Sequence, residues 1–162
     1  MVNHTVVTGA SGMLGSFVVQ RLSDAGVPVL GVDLRAPTES PAGATHVIAD
    51  VRDPEAMATA MAGAEAVVHC AAALPSYAAD QIRSVIVDGT RNVLTTAHRA
   101  GVERVVHIST TAVYGLPKVV PTTEEYPPTP VDDYGRAKVA AEELCEKFRA
   151  DGLCVPILRP KT

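Results

Sequence analysis

Several features that mark special classes of protein are scarce in this 162-residue sequence. No apolar run approaches the roughly 20 residues of a membrane-spanning helix, so we expect no membrane association. Basic residues number 14 and acidic residues 18, and the net charge of -4 offers no electrostatic footprint for nucleic acid or an anionic membrane. The N-terminal residues do not resemble a secretory signal, and we therefore expect a cytoplasmic protein.

Cysteine and metal-ligand patterns are equally sparse. The three cysteines, Cys70, Cys145 and Cys154, form no CxxC pair. Each lies in an apolar stretch, which predicts inert, buried thiols in a reducing compartment. The histidines show no metal-ligand spacing, so we expect no metal site and predict that His69 and His107 are core residues.

Strand and helix signals alternate along the whole chain. The predicted strands are 4–8, 27–32, 45–49, 66–69, 104–108 and 153–158, and the predicted helices are 13–25, 55–62, 76–100 and 133–150. A proline-rich segment at 116–131 is expected to be a loop. Such alternation predicts right-handed βαβ units. The predicted fold class is therefore α/β, a doubly wound, mainly parallel sheet of Rossmann type with helices on both faces, in one domain at 1–162.

A glycine-rich loop joins the first predicted strand to the first predicted helix. Its glycines, Gly9, Gly12 and Gly15, follow GxxGxxG spacing rather than the better-known GxGxxG. We expect Gly9 to permit a tight turn, Gly12 to let the backbone approach a pyrophosphate, and Gly15 to allow close packing of helix on strand. The helix N-terminus would add unpaired N–H groups for the anion. The alternative is a purely structural glycine turn.

An acidic residue, Asp33, follows the second predicted strand. A carboxylate at that place can accept hydrogen bonds from the 2′-hydroxyl of an adenosine ribose and repels a 2′-phosphate, which favours NAD over NADP. The nearby Arg35 points the other way, because an arginine there can accommodate the phosphate. Asp33 as a simple strand-end cap is the alternative.

Candidate catalytic residues lie further along the chain. Tyr134 and Lys138 share one face of a predicted helix at i and i+4, so both can point into one site. A nearby ammonium, helped by a positive nicotinamide, would lower the pKa of the phenol, and Tyr134 would take a proton from a substrate hydroxyl. The hydroxyls of 109–111 follow the fifth predicted strand and can bind the substrate oxygen. A YxxxK pair by itself also occurs as surface decoration.

The sequence resembles the extended short-chain dehydrogenases/reductases, in particular the NAD-dependent epimerase/dehydratase group. The resemblance covers essentially the whole chain and rests on several motifs in the order of that family. They are TGASGMLG at 8–15, DVRD at 50–53, HCAA at 69–72, DGTRNVL at 88–94, STTAVYG at 109–115, TEEYPPTPVDDYGRAK at 123–138 and ILRP at 157–160.

The resemblance implies a role for each matching residue. Thr110, Tyr134 and Lys138 match the catalytic set, with Lys138 also holding the nicotinamide ribose; Asp50 and Val51 match the adenine contacts. The implied cofactor is NAD, with NADP less expected. Its implied contacts are Gly9, Ser11, Gly12, Met13, Leu14, Gly15, Asp33, Leu34, Arg35, Asp50, Val51, Ala71, Ala72, Ala73, Ser109, Tyr134, Lys138 and Pro160.

Two departures from the family pattern stand out. Ile86 occupies the place where the family commonly carries asparagine, so a role for that asparagine is unsupported here. The family also continues beyond its RP motif into a smaller C-terminal lobe that shapes the substrate pocket, and we expect that lobe to be absent from this chain. The resemblance further implies a homodimer through the helices at 76–100 and 133–150.

The expected function is that of an NAD-dependent epimerase/dehydratase-type oxidoreductase. It would transfer a hydride between the nicotinamide and a hydroxyl or carbonyl carbon of a small-molecule substrate, a nucleotide sugar or similar compound. The alternatives are an NADP-dependent ketoreductase or dehydrogenase, and a non-catalytic dinucleotide-binding module. The Tyr134 and Lys138 pair favours catalysis over the last of these.

Overall fold

A six-stranded sheet, in which every pairing is parallel, forms the centre of the molecule. The computed structural model describes residues 3–161, so residues 1, 2 and 162 of the predicted domain lie outside the described residues. The strand order is β3-β2-β1-β4-β5-β6. The strands are His4–Thr8 (β1), Val29–Asp33 (β2), Ala44–Ile48 (β3), Ala64–His69 (β4), Arg104–Ile108 (β5) and Ile157–Leu158 (β6).

Helices connect most of these strands, and capping residues set several of their ends. They are Met13–Asp24 (α1), Pro54–Met61 (α2), Ala79–Arg83 (α3), Gly89–Ala100 (α4) and Asp133–Ala150 (α5), with a π-helical turn at Ser84–Asp88 and a 3-10 helix at Thr111–Tyr114. The Asp53 carboxylate accepts bonds from two N–H groups at the start of α2. Gly101 ends α4 in the left-handed conformation, with φ of 71°.

The two faces of the sheet are covered by different helices. Val7 and Val29 point to the face that packs on α1 through Val19. Alternate strand residues such as Val67 point to the other face, where Leu94 of α4 and other residues of α2 and α5 complete the larger core. The predicted α/β class with helices on both faces is therefore confirmed. Across residues 3–161 we find no helix with the length and apolar character needed to cross a bilayer.

Several predicted boundaries are wrong. The helix predicted at 76–100 begins only at Ala79, and the π-helical turn interrupts it; Ile86, in that turn, is buried in the core. The strand predicted at 153–158 is reduced to Ile157–Leu158 and an isolated bridge between Arg104 and Cys154. Pro156 explains the shortening, because proline has no N–H to donate to a sheet ladder.

The prediction of three buried thiols is correct only for Cys145. Cys70 is half-buried, and Cys154 is exposed. Side chains alternate in direction along an extended segment, and Leu153 and Val155 take the two inward positions on either side of Cys154.

The prediction that His69 and His107 belong to the core is confirmed. The His69 ring nitrogens contact the hydroxyls of Thr8 at 2.7 Å and Thr90 at 3.1 Å. The His107 ring lies 5.5 Å from the His69 ring, and within residues 3–161 neither of its nitrogens has a hydrogen-bond partner. Burial lowers the pKa of both imidazoles, that of His69 to about 3.

This neutral histidine pair predicts a protein that loses stability in mild acid. In the unfolded chain an imidazole titrates near ~6.5. Below that pH the unfolded chain binds more protons than the folded one, so the free energy of unfolding falls as the pH drops from about 6.5 toward 3. We expect His107→Leu to reduce this slope, as measured by urea unfolding across that range. His98→Gln, at an exposed histidine, is the control; equal slopes for His107→Leu and the unchanged protein would contradict the prediction.

Candidate functional site

A cleft of about 620 Å³ opens at the carboxyl edge of the sheet. It lies where the chain leaves β1 toward β2 on one side and continues from β4 toward β5 on the other, the place where ligands bind in open α/β sheets. Most of the predicted cofactor residues line it. They are Gly9, Gly12, Met13, Asp33, Leu34, Arg35, Asp50, Val51, Ala71, Ala72 and Ala73.

The glycine loop forms one wall of the cleft, and close backbone contacts require its glycines. Gly9 has a φ of +68°, and a Cβ atom there would lie 2.7 Å from the backbone nitrogen of Ala71. A Cβ atom at Gly15 would lie 2.0 Å from the carbonyl oxygen of Gly9, so the first turn of α1 rests directly on the loop. Gly12 occupies the N-cap of α1, and no side chain caps the N–H groups of that first turn.

Asp33 joins the end of β2 to the glycine loop. Its Oδ2 accepts a bond from the backbone N–H of Ser11 at 3.0 Å, and its Oδ1 accepts one from the N–H of Arg35 at 3.1 Å. The Ser11 hydroxyl in turn donates to the Arg35 carbonyl at 2.7 Å. Asp33 therefore caps the strand end, as the alternative reading held, while its carboxylate still lines the cleft. The Arg35 side chain is exposed beside it.

The start of α5 approaches the end of β5 closely. The Thr110 hydroxyl caps the 3-10 helix by accepting a bond from the N–H of Ala112 at 3.1 Å. A Cβ atom at Gly135 would lie 3.0 Å from the Ala112 carbonyl oxygen, so glycine after Tyr134 allows α5 to pack against this segment. Lys138 is buried and donates to the carbonyl of Ile108 at 2.8 Å. The structure thus brings all of the predicted catalytic residues to one edge of the sheet.

The electrostatics of the predicted catalytic pair differ from the expectation. The Lys138 Nζ lies 5.9 Å from the centre of the Tyr134 ring. Burial and the carboxylate of Asp132 nevertheless raise the pKa of Tyr134, so the predicted lowering is absent from the chain itself. Burial also lowers the pKa of Lys138 to about 8, with the charge of Glu142 acting in the opposite direction.

A buried polar network lies directly behind these residues. The Ser109 hydroxyl donates to Glu142 Oε1 at 2.5 Å. Arg159 donates to both oxygens of Glu142, at 2.9 and 2.6 Å, and to the Tyr114 hydroxyl at 2.6 Å. Ser109, which we expected to contact the cofactor, therefore directs its hydroxyl toward Glu142 of α5. Pro160, another predicted contact, receives a bond at its carbonyl from the N–H of Thr111 at 3.2 Å.

Not every predicted cofactor residue lines the cleft, and some lining residues were missed. Ser11, Leu14, Gly15, Ser109, Tyr134, Lys138 and Pro160 do not line it. The missed lining residues are Val32, Ala49, Cys70, Leu74, Tyr77 and Val85. The spacing of apolar residues in the sequence could not identify these lining residues, since residues of a hydrophobic core have the same spacing. The sequence could have identified Glu142 as a site residue, because it lies one helical turn beyond Lys138. Residues 3–161 contain no group of three or more side chains arranged to bind a metal.

Sequence comparison connects this site to a family. The NAD dependent epimerase/dehydratase family matches residues 5–162. A UDP-glucose 4-epimerase of Azospirillum brasilense is 34% identical over 167 residues, which cover 96% of this chain and 48% of that protein. The chain spans about half the length of the curated relatives that it matches.

Solved structures resemble the chain over almost its full length. A short-chain dehydrogenase/reductase superfamily protein from Agrobacterium tumefaciens, with bound NAD, is 36% identical with a TM-score of 0.89, over 97% of this chain and 48% of that one. The UDP-glucose 4-epimerase of Thermotoga maritima, solved with UDP-glucose, is 29% identical with a TM-score of 0.88, over 96% of this chain and 54% of that one. These similarities confirm the predicted family resemblance and the Rossmann-type fold.

The tight packing of the glycine loop predicts a large effect of a single methyl group. We expect Gly15→Ala to lower the free energy of unfolding by about 2 kcal/mol or more, because the added carbon meets a backbone oxygen that cannot move aside. Gly12→Ala is the matched control, since its Cβ atom would lie 3.2 Å from that same Gly9 oxygen. Urea unfolding followed by circular dichroism measures both variants. Equal losses of unfolding free energy in the two variants would contradict the prediction that the contact at Gly15 is the more important one.

Proposed function

The chain belongs to the NAD-dependent epimerase/dehydratase family, and on that premise we propose that it forms the dinucleotide-binding part of an NAD-dependent oxidoreductase. The reaction is hydride transfer between the nicotinamide and a hydroxyl or carbonyl carbon of a nucleotide sugar or similar substrate. The observation that carries the proposal is the juxtaposition of the cleft with the edge that holds Thr110, Tyr134 and Lys138.

The residues of the cleft fit a dinucleotide. The backbone at Gly9 leaves no room for a side chain. The N-terminus of α1 at Gly12 has no side-chain cap, which leaves its N–H groups open to a pyrophosphate. Asp33, at the end of β2, is placed to accept a hydrogen bond from an adenosine ribose hydroxyl. When bound, NAD supplies the hydride acceptor and a positively charged ring. The alanine side chains of 71–73 would lie along the ligand and exclude water.

Three side chains of this chain would handle the proton and the substrate oxygen. The oxygen of the Thr110 hydroxyl is used as a helix cap, and its proton can be donated to a substrate oxygen. Tyr134 takes the proton from a substrate hydroxyl, which requires that its raised pKa fall when positive charge enters the site. Lys138 provides part of that charge and would bind the nicotinamide ribose.

The substrate class rests on relatives rather than on this chain. The Azospirillum brasilense relative is a UDP-glucose 4-epimerase, and the Thermotoga maritima structure contains UDP-glucose. Because the chain spans about half the length of its relatives, the substrate and the final reaction of the whole protein belong to this proposal. The homodimer through the helices predicted at 76–100 and 133–150 also stays a prediction.

A second candidate is an NADP-dependent ketoreductase or dehydrogenase. The exposed Arg35 side chain favours it, since a guanidinium beside the ribose site can bind a 2′-phosphate. The Asp33 carboxylate opposes it by charge repulsion. Ser11 of the glycine loop binds the side chain of Asp33 but binds Arg35 at its backbone carbonyl. We therefore place NADP second.

A binding measurement distinguishes between the two cofactors. We expect calorimetric titration of this chain to give a dissociation constant for NAD at least about tenfold lower than that for NADP, a difference of roughly 1.4 kcal/mol. Asp33→Asn should reduce the ratio of the NADP dissociation constant to the NAD dissociation constant, since it removes the negative charge and keeps a hydrogen-bond acceptor. Tighter binding of NADP would overturn the assignment in favour of the second candidate. Binding of neither by the folded chain would refute the proposed cofactor site.

The proposed role of Tyr134 predicts that its substitution affects turnover but not NAD binding. Tyr134→Phe should leave NAD affinity within about twofold but lower turnover of a UDP-sugar in the whole protein by roughly 10²–10⁴-fold, as loss of a general base does. Tyr126→Phe is the control, because that phenol binds the backbone of Lys118 in the loop after the 3-10 helix. Loss of NAD binding in Tyr134→Phe, or full turnover, would contradict the assigned role.

A further inference from the structure

One face of α5 carries three ionisable residues on successive turns. Tyr134, Lys138 and Glu142 follow one another at intervals of four residues, so their side chains share that face. Lys138 and Glu142 are buried, with exposed fractions of 3% and 6%. Lys138 Nζ lies 5.9 Å from the centre of the Tyr134 ring and donates to the Ile108 carbonyl at 2.8 Å. A carboxylate therefore lies one helical turn from the ammonium that neighbours Tyr134.

Both oxygens of this carboxylate are held by donors other than Lys138. Glu142 Oε1 accepts bonds from the Ser109 hydroxyl at 2.5 Å and from Arg159 Nε at 2.9 Å, and Oε2 accepts one from Arg159 Nη2 at 2.6 Å. A two-pronged contact of this kind fixes the carboxylate and offsets part of its charge. Lys138 therefore interacts with Glu142 through space, and Arg159 determines how much net negative charge acts on the ammonium.

We propose that Glu142 is a positioning residue that holds Lys138 as a cation next to Tyr134, and that Arg159 limits this effect by offsetting part of the carboxylate charge. The inference rests on the proposed function, in which Tyr134 acts as the base and Lys138 supplies positive charge. It goes further by assigning the charge state of that lysine to two residues outside the cleft lining. The pair would thereby set the pH range in which the reaction runs.

The other titratable groups that act on Lys138 are uncharged near neutral pH. They are His69 of β4, Cys70 directly after it, His107 of β5 and Cys145 of α5. Burial lowers the pKa of His69 to about 3 and that of His107 well below its usual value, so both imidazoles are neutral. Burial raises the pKa of the two thiols to about 11 and about 12, so both keep their protons. Within residues 3–161, the charged partner of Lys138 is therefore Glu142 with its bound guanidinium.

The two members of the pair act on Lys138 with opposite signs. Burial lowers the pKa of Lys138 to about 8, and the negative charge of Glu142 opposes burial by favouring the protonated ammonium. Removal of that negative charge should let Lys138 lose its proton at a lower pH. Removal of the positive charge of Arg159 leaves the full carboxylate charge and should let Lys138 keep its proton to a higher pH. A role limited to packing predicts no opposition, because loss of either partner would loosen the same contact.

The test follows the side-chain signals of isotope-labelled lysine by NMR while the pH of the whole chain is varied. Lys138→Met identifies the Lys138 signal by its loss; the other lysines, all exposed, are Lys118, Lys147 and Lys161. We expect the signal of the unchanged chain to titrate near pH 8. The midpoint should fall by about one pH unit in Glu142→Gln and rise in Arg159→Met, as for the loss of a charge near a titrating group.

Glu146→Gln is the matched control for the carboxylate. Glu146 lies one turn further along α5 and also pairs with an arginine, Arg149, but its side chain is 59% exposed. Solvent screens such a charge, so the control should leave the Lys138 midpoint unchanged. Tyr114→Phe is the control for a disturbed network, because it removes a hydrogen bond to Arg159 without removing a charge. It should also leave the midpoint unchanged.

Shifts of opposite sign in Glu142→Gln and Arg159→Met would support the inference. Shifts of the same sign, or an unchanged midpoint in Glu142→Gln, would overturn it and leave the proposed function standing. If either single variant does not fold, the double variant replaces it, since it leaves neither charge of the pair unpaired in the interior. The double variant should titrate below the unchanged chain, and an unchanged midpoint there would overturn the inference.

A separate measurement keeps the proposed function apart from this inference. Calorimetric titration with NAD, below and above the Lys138 midpoint of the unchanged chain, should show an affinity about tenfold lower at the higher pH, as for the loss of a hydrogen bond from a charged group. Absence of NAD binding at either pH would refute the proposed function, whereas the NMR midpoints would still decide whether Glu142 and Arg159 control the charge of Lys138.

Discussion

The close approach of the Gly9 backbone to the end of β4 is the contact on which the rest of the site depends. A Cβ atom at Gly9 would lie 2.7 Å from Ala71 N, and one at Gly15 would lie 2.0 Å from the Gly9 carbonyl oxygen. Both contacts exist only because glycine has no side chain. They bring two neighbouring parallel strands and the N-terminus of α1 together. The cleft opens there because the chain diverges along the sheet from this point.

A second set of contacts fixes α5 against the end of β5. Lys138 binds the carbonyl of Ile108, and Glu142, one helical turn further, binds the hydroxyl of Ser109 and the guanidinium of Arg159. A buried ammonium and a buried carboxylate are costly unless their hydrogen bonds are made, and each has partners here. Because consecutive turns of the helix bind consecutive residues of the strand end, α5 cannot slide without breaking both. The position of Tyr134 follows from that anchoring.

The cleft between these two supports is largely formed before any ligand binds. Its middle is backbone and small side chains at 71–73, and its ends carry carboxylates that are already held by donors from the protein. Such a site needs little rearrangement on binding, and its specificity comes from a few placed polar groups.

Much of the fold followed from local sequence patterns. Alternating strand and helix periodicity depends on neighbouring residues, so the α/β class, the glycine loop and the placement of Lys138 on a helix could be predicted. Boundaries failed where one proline, Pro156, or a π-helical turn broke the period. The sequence could not predict the direction of the Ser109 hydroxyl, the raised pKa of Tyr134 or the hydrogen bond from Arg52 to Ser84. Hydrogen bonding and burial depend on residues far away in sequence, and only the tertiary structure decides which of them meet.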